Sequence, residues 1–275
     1  MAQSLHNNRK TGKEQYYTNP EVVDLCIAEV KKHVDLEGKT ILEPAGGTGE
    51  FIEGLRRAGI NDKSIISYDI EPKHPLVKQA DFLSLLNLPE NMISITNPPF
   101  GRANSLSKQF FNHSADHCDF ICYLVSKSWR KWSVMNALDL RFHLLADVEM
   151  PVDCFYSKDT NKAGVLNTVF QIWEKRDYKR EKIIVPDTDL IKKVNSVAEA
   201  NYSMVVFGHS SGRCEEITPA TKYTPGTTYY FQVKDDSVKE VLRSVDWSKY
   251  NTNVSYIKAI SFQEIKHEVM AVIGP

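Results

Sequence analysis

The 275-residue chain has no excess of charge of either sign. With 34 Lys and Arg against 35 Asp and Glu, a uniformly basic coat for nucleic acid is excluded, and any polyanion partner has to meet a local patch. It also has no CxxC pair. Its five cysteines, Cys26, Cys118, Cys122, Cys154 and Cys214, are odd in number and scattered, which argues against a disulfide framework and a zinc site and for small buried hydrophobes. Cys118 and Cys122 at helical spacing, with His113 and His117, make the one combination that invites a metal, and the bland reading outweighs it. No stretch reaches the roughly 18 apolar residues that span a bilayer, and residues 1–10 contain no apolar leader, so a soluble, cytoplasmic protein without a membrane partner is expected.

What is present is ordinary in amount. Hydrophobic residues at 42% and charged residues at 25% exclude a disordered or fibrous chain, and the length predicts one large domain with a small appendage. Residues 1–15 are polar and slightly basic, as a flexible arm would be. From Asn19, the run NPEVVDLCIAEVKKHV predicts a helix, with Pro20 at the first helical position behind a capping Asn and Val22, Val23, Ile27 and Val30 on one face. SIISYDI, ISIT, DFICYLVS, HLLADVEM and LNTVFQIWEK read as buried strands alternating with helices, so the expected fold is an open α/β sandwich with a mostly parallel sheet over residues 16–178. After the charged run KRDYKREK, residues 179–275 read as a small α+β extension, in which YYFQVK is a strand, SVKEVLRSVDW a helix and SFQEIKHEVMAVI mixed.

Two features carry chemistry. The first is the strand-to-helix loop EPAGGTGEF. It lacks the Lys-Ser/Thr of a triphosphate loop and the third glycine of GxGxxG, and Glu43 at the strand end would repel a phosphate. A carboxylate there suits the sulfonium and amino group of S-adenosylmethionine instead. Asp69, at the end of the next strand, can accept two hydrogen bonds from ribose hydroxyls, and Asp81 can take an adenine amino group while Phe82 packs on the base. The second feature is Asn97-Pro98-Pro99-Phe100, which follows a buried strand and precedes Gly101. Two prolines remove two N–H donors and leave carbonyls facing outward. The Asn97 side-chain oxygen and the Pro98 carbonyl can then accept both hydrogens of an exocyclic amine, with Phe100 stacked on its ring.

In this order and spacing the motifs resemble the Asn-Pro-Pro-Phe/Tyr amino-methyltransferases, most closely the DNA adenine-N6 methyltransferases of restriction-modification systems whose cofactor motifs precede the catalytic one. The resemblance covers residues 16–175 through YYTNPEVVD, EPAGGTGEF, YDIEP, ADFL and NPPF. It implies a Rossmann-like class I methyltransferase sandwich, S-adenosylmethionine as cofactor and DNA as partner. It also implies that Thr18 contacts the methionine end of the cofactor, while Tyr17, Pro44, Ala45, Gly47, Ile70 and Asn97 belong to the same pocket. The extension over residues 179–275 has fewer than 100 residues, short for a domain that reads a long site.

For the polynucleotide, Lys127, Trp129, Arg130 and Lys131 interleave charge with aromatic surface, and Arg102 follows the catalytic motif directly. Lys175, Arg176, Lys179 and Arg180 form a further cluster. A paired adenine would have to be extruded into the site. RNA is the alternative acceptor, since the motif reports an amino group on a planar ring rather than the sugar beside it. Glutamine methylation of a protein is a third outlet for the motif, and a non-catalytic partner subunit stands as the reading from another class.

Overall fold

The computed structural model describes residues 17–156, 163–164 and 166–274; the N-terminal arm, residues 1–15, lies outside them. The chain divides into two compact units after Lys182, four residues beyond the boundary expected from the charged run.

In the first unit, β1 (Tyr17–Thr18) leads into α1 (Pro20–His33), which buries Val22, Val23, Cys26, Ile27 and Val30. Pro20 starts the helix as predicted, but the Asn19 side chain does not cap it. Its amide donates instead to the Asp153 carbonyl, and its backbone N–H donates to the Cys154 carbonyl at 2.8 Å. There follow β2 (Ile41–Glu43), α2 (Glu50–Arg57), β3 (Ile65–Asp69), β4 (Val77–Gln79), β5 (Met92–Thr96), α3 (Ser105–Ser114) and β6 (Cys118–Ser126). After the short α4 (Trp132–Met135) come β7 (Phe142–Glu149), β8 (Phe155–Tyr156), β9 (Ala163–Gly164) and β10 (Thr168–Lys175).

Seven strands form one sheet in the order β4-β3-β2-β5-β6-β10-β7. The pairs from β4 to β6 are parallel, whereas β10 inserts antiparallel between β6 and β7. The apolar pattern does not set these last two strands apart from the rest; among the described residues the connection from β7 to β10 carries β8 and β9 and no helix, and a return without a crossover helix favours antiparallel pairing. Side chains alternate between two cores, as a sheet covered on both faces requires. Ile41, Cys122, Leu124 and Phe170 pack with α1 and α2 on one face. Leu42, Ile121, Tyr123, Val125 and Trp173 pack with α3 on the other. The cysteines are small core residues: four are buried and Cys214 is half-buried.

The second unit is an antiparallel sheet of β11 (Ile191–Val194), β14 (Thr228–Val233), β12 (Tyr202–Val205) and β13 (Cys214–Glu216), in that order. Helices α5 (Asp236–Ser244), α6 (Ser248–Asn251) and α7 (Phe262–Ile273) complete it, with Tyr202, Met204, Phe231, Leu242 and Ile265 in its core. The closing segment, expected to be mixed, is a 12-residue helix because Ser261 and Glu264 form a capping box at its start. Among the described residues no helix is long and apolar enough to cross a membrane.

One site expectation falls here. Trp129 is 0% exposed and packs at 5.8 Å against Phe111, so it is a core residue and cannot stack on a base. Trp129→Ala should therefore lower unfolding free energy by about 3 to 5 kcal/mol, the cost of emptying a large aromatic site. A denaturation midpoint within error of wild type would contradict that burial.

Candidate active site

Strand order reverses between β2 and β5, one neighbour leading to β3 and the other to β6, and such a switch opens a crevice at the carboxyl ends of the strands. The motifs expected from sequence end there. A cavity of about 500 Å3 is lined by Tyr17, Thr18, the residues 43–48, Asp69, Ile70, Asp81, Phe82 and the whole Asn97-Pro98-Pro99-Phe100 turn. Its volume suits a small organic cofactor.

The glycine loop is shaped by two close approaches. A Cβ on Gly46 would stand 2.3 Å from Ser67 Oγ, so only glycine lets the loop lie on β3. Gly49, at φ +85°, turns the chain into α2. Asp69 fastens the loop: its Oδ2 accepts from Gly47 N–H at 2.8 Å and its Oδ1 from Glu71 N–H at 2.7 Å. Each oxygen keeps a second lone pair, so the expected ribose role coexists with this structural one. Asp81 Oδ1 accepts from Leu83 N–H at 3.1 Å, forming a turn that presents Phe82 to the cavity. His113, which the sequence suggests only as a metal ligand, supports that turn. Its Nε2 donates to the Leu85 carbonyl at 2.9 Å, and its ring meets Phe82 edge-on at 4.7 Å. Among the described residues no cluster of His, Cys, Asp and Glu is arranged to hold a metal ion.

Glu43 is 1% exposed. Its Oε1 accepts from Ala45 N–H at 3.0 Å and from the buried Thr96 hydroxyl, which ties β2 to β5 one residue before Asn97. Burial pushes its carboxyl up to about 8; those two hydrogen bonds work the other way, and the nearby Asp69 carboxylate adds to the rise. Both bonds fall on Oε1, which leaves Oε2 as the oxygen a cationic ligand can meet. Such a ligand would draw the proton off, so a buried acid at this position fits a sulfonium and ammonium group and not a phosphate.

Further residues line the cavity or brace its wall from behind. Thr18 pairs with Phe155 and Tyr17 with Tyr156 across β1 and β8. Tyr156 donates to Glu50 Oε1 at 2.7 Å, and the Lys73 ammonium donates to the Tyr17 hydroxyl at 2.5 Å while Lys73 N–H bonds the Gly47 carbonyl at 2.9 Å. Glu50, at the first position of α2, lies within EPAGGTGEF but was given no role, and Lys73 follows YDIEP directly; only these places signal them. Phe110 from α3 completes the wall and tilts on Phe82 at 5.2 Å.

The expected nucleic-acid residues divide. Arg102 is exposed and lines the cavity mouth. Lys127 is paired with Glu149 at 2.7 Å, and Arg130 holds Asp147 at 2.5 Å and Glu149 at 2.9 Å, so both charges are satisfied within the protein. Lys131 is half-buried at the start of α4. With Trp129 in the core, this segment does not form the basic aromatic face expected of it. Arg180 is likewise structural, donating to the Phe142 carbonyl at 2.9 Å and lying 5.5 Å over the Trp173 ring.

The Glu43 carboxyl has a consequence for stability. An acid whose folded value of about 8 lies above its ordinary 4.5 contributes stability that is complete below about 4.5 and is lost as pH rises towards 8. Glu43→Gln removes this titration, so the ligand-free variant should melt at a temperature that changes less between these limits than wild type. Parallel melting curves against pH would show that Glu43 ionises normally.

No protein-family profile matches the chain. Over 107 residues it is 28% identical to the Type II methyltransferases M.HincII and M.HindII of Haemophilus influenzae, a match covering 38% of this chain and 20% of each relative. The chain thus matches about a fifth of the length of these curated relatives. Among solved structures, that of a putative RNA methyltransferase, PH1948 from Pyrococcus horikoshii, superposes with a TM-score of 0.48 at 17% identity, covering 63% of this chain and 92% of that one. The resemblance read from the motifs is thus matched by curated methyltransferases over part of the chain, and the fold is an α/β, Rossmann-like sandwich.

Proposed function

We propose that the protein is an S-adenosylmethionine-dependent methyltransferase acting on the N6 amino group of adenine in DNA. The observation that carries this reading is the continuity of one cavity. The acids Glu43, Asp69 and Asp81 and the Asn97-Pro98-Pro99-Phe100 turn all line it, so a cofactor and an acceptor amine would meet without any further rearrangement of the sheet. Similarity to Type II methyltransferases supports the choice of reaction, and the motif order, which resembles that of the DNA adenine-N6 enzymes, favours DNA as the acceptor.

When bound, S-adenosylmethionine supplies an electrophilic methyl group on a sulfonium. Everything else is the work of this chain. Glu43 Oε2 faces the cationic end, Asp69 accepts from the ribose and Asp81 from the adenine amino group of the cofactor. The Asn97 side-chain oxygen and the Pro98 carbonyl accept the two hydrogens of the acceptor amine, which turns its nitrogen lone pair out of conjugation and towards the methyl carbon. Asn97 and Pro98 would hold the amine in line for a transfer in which the N–C bond formed is balanced by the S–C bond given up by the donor, and the surplus amine proton would pass to solvent. No strong base is needed, because the methylated amine is acidic until that proton departs.

Phe100 is 7% exposed and meets Phe155 edge-on at 6.1 Å. Stacking on an acceptor base therefore requires this ring to turn towards the cavity that it already lines.

The deciding assay supplies labelled methyl donor with matched DNA and RNA pools and analyses the nucleosides. N6-methyladenine from DNA is the expected product. Label confined to RNA would keep the chemistry and replace the acceptor, and label in neither would refute the reading. Asn97→Ala should abolish transfer while cofactor affinity stays within a few-fold, since Asn97 serves the acceptor. Asp69→Ala should weaken cofactor binding by about 1 to 3 kcal/mol through loss of charged hydrogen bonds and of the loop fastening. Calorimetric titration separates the two, and equal loss of binding in both variants would overturn the division of roles.

A further inference from the structure

A near-neutral chain can bind a polyanion only through a patch, and the basic segment at residues 127–131 does not supply one. The cations without an ion pair among the described residues include three that converge in the second unit. Lys192 and Lys193 are adjacent and exposed on β11, the edge strand of the sheet, and the exposed Lys234 follows the end of β14. Lys234 N–H bonds the Leu190 carbonyl at 2.9 Å, which holds these lysine-bearing ends together. All three line a cleft of about 610 Å3 whose other wall is Phe262 and Lys266 of α7.

The cleft is built, not merely bordered by lysines. The Lys193 ammonium lies 3.7 Å from the centroid of the Tyr229 ring, which restricts a normally mobile side chain. Lys266 is 4% exposed and paired with Asp187 at 2.7 Å, so that acid is neutralised from within the fold. Asn201 zips the end of β14: its Nδ2 donates to the Val233 carbonyl at 2.9 Å and its Oδ1 accepts from Val233 N–H at 2.8 Å. Asp189 is then the one acid in the cleft set against three lysines. Over the whole unit, residues 183–275, ten Lys and Arg face eleven Asp and Glu, so three lysines against one acid is a local excess in a unit that is near neutral overall.

We propose that this cleft binds the phosphodiester backbone of the polynucleotide substrate, with Lys192, Lys193 and Lys234 as its phosphate ligands. The inference rests on the reading of a polynucleotide acceptor given above. Ammonium groups on flexible stems meet phosphates as point charges and read no base, so the cleft supplies affinity and register, and sequence must be read elsewhere. Each phosphate neutralised releases counterions, so the salt dependence of binding reports how many phosphates the protein engages.

The test uses the full chain and a short duplex of mixed sequence, with binding measured by anisotropy across a salt series. The triple variant Lys192→Ala, Lys193→Ala, Lys234→Ala should flatten the slope of log affinity against log salt by roughly 3, about 0.9 for each phosphate no longer neutralised. It should raise KM for the duplex with kcat and cofactor affinity unchanged. Lys222→Ala with Lys258→Ala removes two exposed charges of the same unit outside the cleft and should leave the slope as in wild type. An equal loss per charge in that variant would reduce the effect to overall charge and overturn the site. So would an unchanged slope in the triple variant accompanied by self-association, which would show that the lysines serve to blunt the edge of β11. If the wild type methylates DNA and the triple variant binds it unaltered, the cleft is refuted and the methyltransferase reading stands. If the slope falls as expected and no protein transfers methyl, the reading fails and the cleft remains a polynucleotide site.

Discussion

The site depends on a carboxyl group buried where two parallel strands part. Glu43 ends β2, and Thr96 ends β5. The hydrogen bond between them continues the parallel β2–β5 pairing of Ile41 with Ile93 and Leu42 with Ser94 to the carboxyl ends of both strands. A charged carboxylate here would be costly to desolvate, and burial accordingly raises the Glu43 carboxyl so that its protonated form is favoured. The group is thus a structural link first, joining β2 to β5 and to the glycine loop. The same residue aligns the two halves of the chemistry, because Thr96 is followed directly by Asn97 and Glu43 directly by the loop Pro44-Ala45-Gly46.

Around that link, each loop is tied to its neighbour by a side-chain hydrogen bond with at least one partner lining the cavity. Asp69 holds Gly47, Lys73 joins the Gly47 carbonyl to Tyr17, and Tyr156 reaches Glu50 at the start of α2. These ties come from four separate stretches of chain. A cavity wall built in this way closes only when the sheet is complete, so the cofactor pocket is a product of the tertiary fold and not of the glycine loop alone. Gly46 shows the tolerance involved, since one added carbon would collide with both Ser67 and Val77.

Much of this was legible in the sequence because the informative residues sit at strand ends, where motif and geometry coincide. EPAGGTG, YDI, ADF and NPPF each follow or replace the end of an element, and all four meet in the cavity. The apolar runs marked their strands for the same reason: a strand covered on both faces has no polar alternation to disguise it. What was not legible depends on pairing across long separations. The antiparallel insertion of β10 is set by the absence of a crossover, not by its own residues, and Tyr156 meets Glu50 across 106 positions. Trp129 and Arg130 misled for a related reason. Basic and aromatic side chains in alternation describe a nucleic-acid groove and a core edge equally well, and only Phe111 on α3 and Asp147 on β7 decide between them.

The turn that presents the catalytic motif is the place where local preference yields to tertiary demand. After Phe100 the backbone enters the left-handed region at Gly101, Ala103 and Asn104, with φ of +67°, +52° and +58°. Glycine and asparagine accept such angles readily, whereas alanine does so at a cost of about 1 kcal/mol or more. The compensation is local. Asn104 is 8% exposed, its Nδ2 donates to Ser128 Oγ at 2.8 Å, and its Oδ1 accepts from Ser126 Oγ at 3.1 Å, which pins the turn to the end of β6. At Gly101 no other residue would serve, because a Cβ would stand 2.8 Å from that of Leu106. The prolines stiffen the turn on one side and the buried asparagine anchors it on the other. Phe100, between them, is held in the core edge-on against Phe155 while still lining the cavity, so the turn is fixed on both sides of the ring.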